Sequence, residues 1–214
     1  MTPTTLEAYI RQRHNSVGDT FWSSQEILDL VWAACLEMAR EALVIENLYT
    51  TTTVAGTQAY SFPTNTIAIK RITYDGVKLQ RIDMREDDQL TGQNQAATSQ
   101  GNSQYYFVWN DTIYLRPLPS SAVTLKIYSF NEPQQLTTTS TLEIPSQFHI
   151  DTVDYVLSCM HGKEKNFQGA QYYKAQWDAR LVKIKAWQRK RLRSDGFASV
   201  KDMDSISSSF LGVV

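Results

Sequence analysis

The sequence predicts an α+β protein, mainly an α-helical bundle, with a small antiparallel β-sandwich or barrel inserted between its helices and an extended C-terminal tail. Two observations lead to this prediction. Apolar residues recur every three or four positions near both ends of the chain, whereas the middle contains short threonine-rich and aromatic segments separated by turn residues. The predicted domains are N-terminal helices at 1–48, a β-domain at 49–143, a helical hairpin at 144–193 and a tail at 194–214.

The bulk composition is that of an ordinary globular protein. The 214 residues are 42% hydrophobic and 20% charged, which allows a sizeable core. The formal net charge of -1 argues against nucleic-acid binding by the chain as a whole. Residues 1–15 lack the apolar core of a secretory signal and no run is long enough to cross a bilayer, so we expect folding in a cytoplasm. Cys35 and Cys159 are expected as buried, reduced thiols.

Two helices are predicted before the first strand. The first covers residues 4–14, with Thr4 placed three residues before Glu7 at capping-box spacing. Ser23 can cap the second helix, with Glu26 reaching back to it, and this helix is expected to end near Asn47. Its apolar stripe is broad, which favours a position inside a bundle or against a neighbouring subunit. The stripe comprises Ile27, Leu30, Val31, Ala34, Met38, Ala42 and Ile45.

Five to seven short strands are expected in the middle of the chain. Residues 49–54 and 59–62 are predicted to pair as a hairpin across Gly56. Further segments at 105–109 and 113–116 flank a turn, and a last strand is expected over 123–130.

Turn residues and polar segments separate these strands. Asp75-Gly76 is a strong hairpin signal and is followed by a predicted return strand over 78–82, while Asn110-Asp111 marks another turn. Residues 83–90 are polar and are expected to hold one helical turn. Residues 91–104 are rich in Gln, Asn, Ser and Gly, so we expect a long loop.

Helical periodicity returns after Pro145. Ser146 can cap a helix that is interrupted at 166–169, and a second helix is predicted over 170–193. Its 24 residues would span roughly 36 Å. Because the connection is short, the two helices should form an antiparallel hairpin. Residues 194–214 show no periodic pattern and should be disordered in isolation.

Several segments, in this order, carry a family resemblance that runs from about Leu6 to about Arg193. They are Thr20-Phe21-Trp22-Ser23, residues 52–60 with Phe62-Pro63, residues 69–76, Tyr106-Phe107-Val108-Trp109, residues 114–119, Leu142-Glu143-Ile144-Pro145, Asp151 and Asp154-Tyr155. The order resembles the adaptor proteins of bacteriophage head-to-tail connectors, which join the portal ring to the tail.

The resemblance implies a structural virion protein of the phage neck, assembled in the host cytoplasm as a ring, usually of twelve copies. One side would grip the portal protein, and the other would contact the tail nozzle or the next neck ring. Double-stranded DNA would pass through the centre without sequence-specific contacts. The family has no catalytic motif, and the residues themselves lead us to expect no cofactor and no membrane partner.

A strongly basic segment lies in the last predicted helix. It contains eight basic residues against one acid, Asp178, a local balance of +7. These side chains could contact DNA phosphates or an acidic portal surface, pack against the acidic second helix of a neighbouring subunit, or form a solvated face. The basic residues are Lys174, Arg180, Lys183, Lys185, Arg189, Lys190, Arg191 and Arg193.

The tail contains more apolar residues than a purely solvating segment needs. We hypothesise that it becomes ordered on the portal, either as an added strand or in grooves, the alternative being a frayed terminus. Its apolar residues are Phe197, Val200, Ile206, Phe210, Leu211, Val213 and Val214.

The sequence offers little support for catalysis. His14, His149 and His161 are isolated in the pattern, and the acidic residues Asp83, Glu86, Asp87 and Asp88 are expected in a solvated turn. No phosphate-binding loop, nucleophile elbow or zinc-ligand spacing is present. We therefore expect no catalytic, metal or cofactor site, and no enzyme activity.

Two other functions remain open at this point. Another neck ring, such as a stopper or tail-completion protein, is one, although the long last helix favours an adaptor because it can reach a portal. The second is a nucleic-acid-binding module that uses residues 174–193. An isolated chain of that kind would bind DNA with a steep dependence on salt.

Overall fold

The computed structural model describes residues 1–92 and 99–194, with side chains over 1–89 and 99–192. The described residues divide into two compact units, one formed by residues 1–44 together with residues 133–194, and the other by residues from 45 to 132. Five helices and ten short strands occur in the described residues, so the α+β class is confirmed. The finer division into four domains stays a prediction.

The first helix, α1, covers Pro3–His14 and begins earlier than predicted. Thr2 caps it, because its Oγ1 accepts a hydrogen bond of 3.2 Å from the N–H of Thr5. Pro3 suits the first helical position, where no N–H is needed. The capping box predicted at Thr4 is therefore wrong.

The second helix, α2, covers Ser24–Ala42. The Oγ of Ser23 accepts a hydrogen bond of 3.1 Å from the N–H of Glu26, which confirms the predicted cap. The predicted end near Asn47 is wrong. Leu43 adopts the left-handed conformation, with φ of 53°, and its N–H donates to Ala39, so the helix closes there and the chain becomes extended.

The described residues of the second unit form ten strands and one helix, and the main sheets have strand orders β1-β10-β3-β4 and β2-β8-β7-β5. Strands β6 and β9 form a separate parallel pair. The elements are β1 Glu46–Thr52, β2 Ala59–Ser61, β3 Thr66–Tyr74, β4 Val77–Lys78, β5 Gln80–Arg81, α3 Met84–Gly92, β6 Gln100–Gly101, β7 Tyr105–Trp109, β8 Thr112–Arg116, β9 Leu118–Pro119 and β10 Thr124–Asn131.

The hairpin predicted for residues 49–54 and 59–62 is wrong. Strand β1 pairs antiparallel with β10 over seven residue pairs, whereas β2 pairs with β8 in the other sheet. The N–H of Thr53 extends the first pairing by donating to Val123 at 2.8 Å. Strand β10 is long enough to form hydrogen bonds with more backbone groups of β1 than the three-residue β2 could. The tight turn between β1 and β2 therefore does not determine which strand pairs with β1.

Both predicted two-residue turns are confirmed. Asp75 and Gly76 have φ of 48° and 78°, which matches the twist of a β3–β4 hairpin. Asn110 and Asp111, also at positive φ, join β7 to β8. The predicted return strand over 78–82 is divided, because β4 pairs with β3 while β5 pairs in parallel with β7.

The two main sheets contribute to one apolar cluster. Ile72, Leu125 and Ile127 come from one sheet, and Ile113 and Leu115 come from the other. Each sheet has two open edges in the part of the chain that is described, so neither closes into a barrel.

Two further helices follow, α4 over Thr152–Lys163 and α5 over Phe167–Ser194. A short 3₁₀ helix at Ser146–Phe148 precedes α4, so Ser146 does not cap α4 as predicted. Helix α5 begins before the predicted Ala170 and includes Ser194, the first residue of the predicted tail. Its 28 residues span about 42 Å.

Helices α1, α2, α4 and α5 bury apolar faces in the first unit. Trp22 and Trp177 are the largest fully buried side chains there, accompanied by Leu6, Ile10, Ile27 and Met38. In the described residues, no helix combines the length and apolarity that crossing a membrane requires.

Candidate functional site

Helix α5 carries the basic residues that the sequence singles out, and its buried stripe fixes which of them face outwards. Trp177, Leu181, Ile184 and Leu192 are buried at helical spacing. Trp187 is half-buried and lies edge-on to Phe148, with ring centroids 5.1 Å apart. The remaining sides of α5 carry its charges.

Two of the lysines pair with carboxylates of α2 in the same chain. Nζ of Lys174 lies 3.6 Å from Glu37 and 2.9 Å from Asp178, and Nζ of Lys185 lies 2.6 Å from Glu41. Burial opposes the charge of Lys174, but the neighbouring carboxylates prevail and raise its pKa. The acidic and basic helices are thus matched within one chain at these positions.

Arg180 connects α5 to the start of α4. Its guanidinium donates to the carboxylates of Asp151 and Asp154, and Asp154 is buried. Burial opposes the charge, but the two carboxylates prevail and raise the pKa of Arg180. Arg13 lies 4.0 Å from Asp154 on another side. Arg180 therefore has a structural role within the unit.

The outer face of α5 retains uncompensated charge. Lys183, Arg189 and Lys190 are exposed and have no carboxylate partner in the described part of the chain. Arg191 lies over the ring of Trp187, at 5.6 Å from the centroid. Lys183, Arg189 and Lys190 are therefore the part of the predicted basic site that is available to a partner. The side chain of Arg193 and the predicted tail residues from Phe197 to Val214 lie outside the described residues.

Large apolar side chains are also exposed in both units. On α5 these are Phe167, Tyr172 and Val182, each at least 60% exposed. In the second unit, Leu48 and Tyr49 are exposed on β1, which is an edge strand of its sheet. Exposed aromatic and aliphatic side chains on an open edge are typical of surfaces that bind another protein chain.

The acidic cluster of residues 83–88 is not the solvated turn that was predicted. Asp83 and Glu86 form a reciprocal capping box at the start of α3, with hydrogen bonds of 3.1 and 2.7 Å. Asp87 is buried and accepts two hydrogen bonds from Arg116, at 2.7 and 2.9 Å. The cluster therefore stabilises α3 and ties it to β8, while Asp88 is exposed.

The three histidines have different surroundings. His149 is buried, with one ring nitrogen 2.9 Å from the carbonyl of Ile144 and the other 3.2 Å from the N-terminal amine. Burial lowers the pKa of His149.

His14 and His161, expected to be isolated, lie together with ring centroids 4.8 Å apart. Glu164 lies beside both, 3.3 Å from Nε2 of His14 and 4.0 Å from Nδ1 of His161. Burial, followed by the neighbouring His14, lowers the pKa of His161. No sequence motif could reveal this cluster, because it joins the C-terminal ends of α1 and α4.

Both cysteines are free thiols. Burial raises the pKa of Cys35 to about 12, with a smaller contribution from the charge of Glu143. Cys159 is half-buried, and burial raises its pKa as well. The expected burial is therefore confirmed for Cys35 and is wrong for Cys159.

The described surface thus combines a basic helix face, exposed apolar side chains and an open sheet edge, which are features typical of proteins that bind other chains. A family model described as SU10 adaptor protein matches residues 1–200. The chain therefore belongs to this family of bacteriophage head-to-tail adaptors and is a structural component of the virion neck. No curated protein matches the chain.

Proposed function

We propose that this chain assembles into a dodecameric ring that joins the portal to the tail nozzle or the next neck ring and surrounds the DNA channel. The observation that carries the proposal is the adaptor-family match over residues 1–200 of the 214-residue chain. The proposal includes assembly in the host cytoplasm, no enzymatic activity, and an architecture of a helical bundle with an inserted β-sandwich followed by a tail.

The exposed apolar side chains support contacts between neighbouring subunits. The edge strand β1 presents its backbone together with Leu48 and Tyr49, and a neighbouring subunit can cover both. Removing such side chains from water stabilises the association of subunits by roughly 25 cal/mol for each Å² of apolar surface that is buried. Every subunit of a ring contacts two neighbours, so this free energy is gained at every interface of the assembly.

The outer face of α5 supports contact with an acidic surface. Three exposed cations, Lys183, Arg189 and Lys190, lie within two turns of the helix. Their attraction for phosphate or carboxylate groups is long-ranged and weakened by salt. We assign this face to the channel DNA or to the portal, and we assign the apolar residues of 194–214 to the portal.

Light scattering of the purified portal ring mixed with this chain tests the proposal. We expect the full chain to add as many copies as the portal has subunits, and a chain that lacks residues 195–214 to add fewer or none. Absence of binding by the full chain would contradict the proposal. Equal binding by both chains would contradict the proposed role of the tail and would still agree with an adaptor ring.

A charge reversal at Lys183, Arg189 and Lys190 to glutamate separates the adaptor from the nucleic-acid-binding alternative. The matched control reverses three exposed cations of the second unit, Arg81, Arg85 and Lys126. A DNA-binding module would bind duplex DNA as an isolated chain. Reversal of the three cations on α5 would then reduce the slope of log K against log salt concentration by about 3, because each phosphate contact contributes about 0.9 to that slope. We expect the isolated adaptor to bind DNA weakly whichever set is reversed.

A further inference from the structure

The C-terminal ends of α1 and α4 bring three metal-ligand side chains together in the first unit. Ligand atoms of His14, His161 and Glu164 all lie within 4.8 Å of one another. Nε2 of His14 is 3.3 Å from a carboxylate oxygen of Glu164, and Nδ1 of His161 is 4.0 Å from the same oxygen. A tetrahedral zinc ion with bonds of about 2.0–2.2 Å places its ligand atoms about 3.3–3.5 Å apart. The first distance meets that requirement, whereas the second distance and the largest separation in the cluster, 4.8 Å, require the side chains to close around the ion.

His14 is the observation that distinguishes this cluster from a chance grouping. Its side chain is only 5% exposed, yet Nδ1 has no hydrogen-bond partner among the described residues, and Nε2 has only the Glu164 carboxylate oxygen at 3.3 Å, without the geometry of a hydrogen bond. A buried imidazole that makes no hydrogen bond loses those that water supplied in the unfolded chain. A metal ion coordinated by Nε2 would satisfy one of these nitrogens.

Neighbouring side chains hold Glu164 and His161 in position. Nε1 of Trp22 donates to one carboxylate oxygen of Glu164 at 3.0 Å, which leaves the other oxygen facing the imidazoles. Tyr173 stacks on the ring of His161, with centroids 5.3 Å apart and planes 9° apart. Such supporting contacts orient metal ligands in proteins.

Gly169 and Asn166 complete the surroundings of His161. A Cβ at Gly169 would lie 3.2 Å from Cγ of His161 and 2.8 Å from Nδ2 of Asn166, so the absence of a side chain allows α5 to begin beside this ring. Nδ2 of Asn166 lies 3.4 Å from Nδ1 of His161, the long limit for a hydrogen bond. This weak contact can yield to a coordinate bond.

We propose that His14, His161 and Glu164 bind one divalent first-row transition metal ion such as Zn²⁺. Two imidazoles and a carboxylate are a ligand set that suits zinc better than calcium or magnesium, which take oxygen ligands. Glu164 is partly exposed, so a fourth position remains open to water. The ion would fasten the end of α1 to the end of α4.

Zinc titration of the full-length chain without an affinity tag, in competition with a chromophoric chelator, tests the site. We expect one Zn²⁺ per chain and a rise of several degrees in melting temperature. His14→Gln, His161→Gln and Glu164→Gln should each weaken binding at least about 10-fold. The matched controls His149→Gln and Glu41→Gln should retain wild-type affinity. Absence of binding by the wild type, or unchanged affinity in all three ligand variants, would overturn the proposal.

A measurement on the wild type keeps the test decisive if a ligand variant does not fold. The chain has three histidines, so their imidazole proton resonances can be followed separately by NMR. One equivalent of Zn²⁺ should shift the resonances of two histidines and leave that of His149 in place. Equal shifts of all three, or none, would contradict a site formed by His14 and His161.

Discussion

Arg116 is held by both carboxylate oxygens of Asp87, and these two side chains are only 14% and 9% exposed. The guanidinium also lies over the ring of Phe107, at 5.6 Å from its centroid. An ion pair in such a position contributes mainly by preventing an unpaired buried charge. A solvated turn is the structure that the local sequence predicts at Asp87, because the partner of Asp87 lies in β8 and no local pattern reveals it.

Asp87→Ala should destabilise the protein, because it leaves the guanidinium of Arg116 buried without its partner. We expect a loss of about 3 kcal/mol in the free energy of unfolding of the second unit, measured by urea denaturation. Gln89→Ala, which alters an exposed residue of the same helix, should cost no more than about 0.5 kcal/mol. Equal losses in the two variants would show that the pair has no special role.

Cys35 should be almost unreactive in the folded protein. With a pKa of about 12, its thiol is ionised in roughly one molecule in ten thousand at pH 8, and the thiolate is the reactive form. Alkylation followed by mass spectrometry should therefore proceed more than about 1000-fold more slowly in native protein than in urea. The half-buried Cys159 should react first. Rapid labelling of native Cys35 would contradict the buried position of α2.

At the scale of single elements, the features predicted correctly are those decided within a few residues. The Ser23 cap and the turns at Asp75-Gly76 and Asn110-Asp111 depend on backbone conformations that these residue types favour, so the local sequence predicts them. The pairing of β1 with β10 instead of β2 depends on residues more than seventy positions away. The His14–His161 contact is distant in the same sense, so periodicity could not predict it.

Helix α5 is attached to α4 by Arg180, and this attachment can be tested. Arg180→Ala leaves the buried carboxylate of Asp154 without its main partner, so we expect a loss of about 1–3 kcal/mol in the free energy of unfolding. Lys190→Ala removes an exposed cation from the same helix and should change stability by no more than about 0.5 kcal/mol. Chemical denaturation compares the two variants. Similar stability of both would indicate that Arg180 is not structural.

At the scale of the whole molecule, the basic residues of α5 fall into two sets. Lys174, Arg180 and Lys185 neutralise carboxylates of the same chain, whereas Lys183, Arg189 and Lys190 remain exposed. The sequence predicts the charge of α5 but not this division, because the division depends on which side of the helix its apolar stripe buries. The exposed set is the part that an assembly partner can reach.

The most direct test of the proposed ring is the number of copies of this chain in purified virions, measured relative to the portal protein by quantitative mass spectrometry. A dodecameric adaptor ring seated on the portal requires one copy for each portal subunit, so we predict a ratio of one to one. A ratio far from one, or absence of the chain from tailed virions, would contradict the adaptor ring.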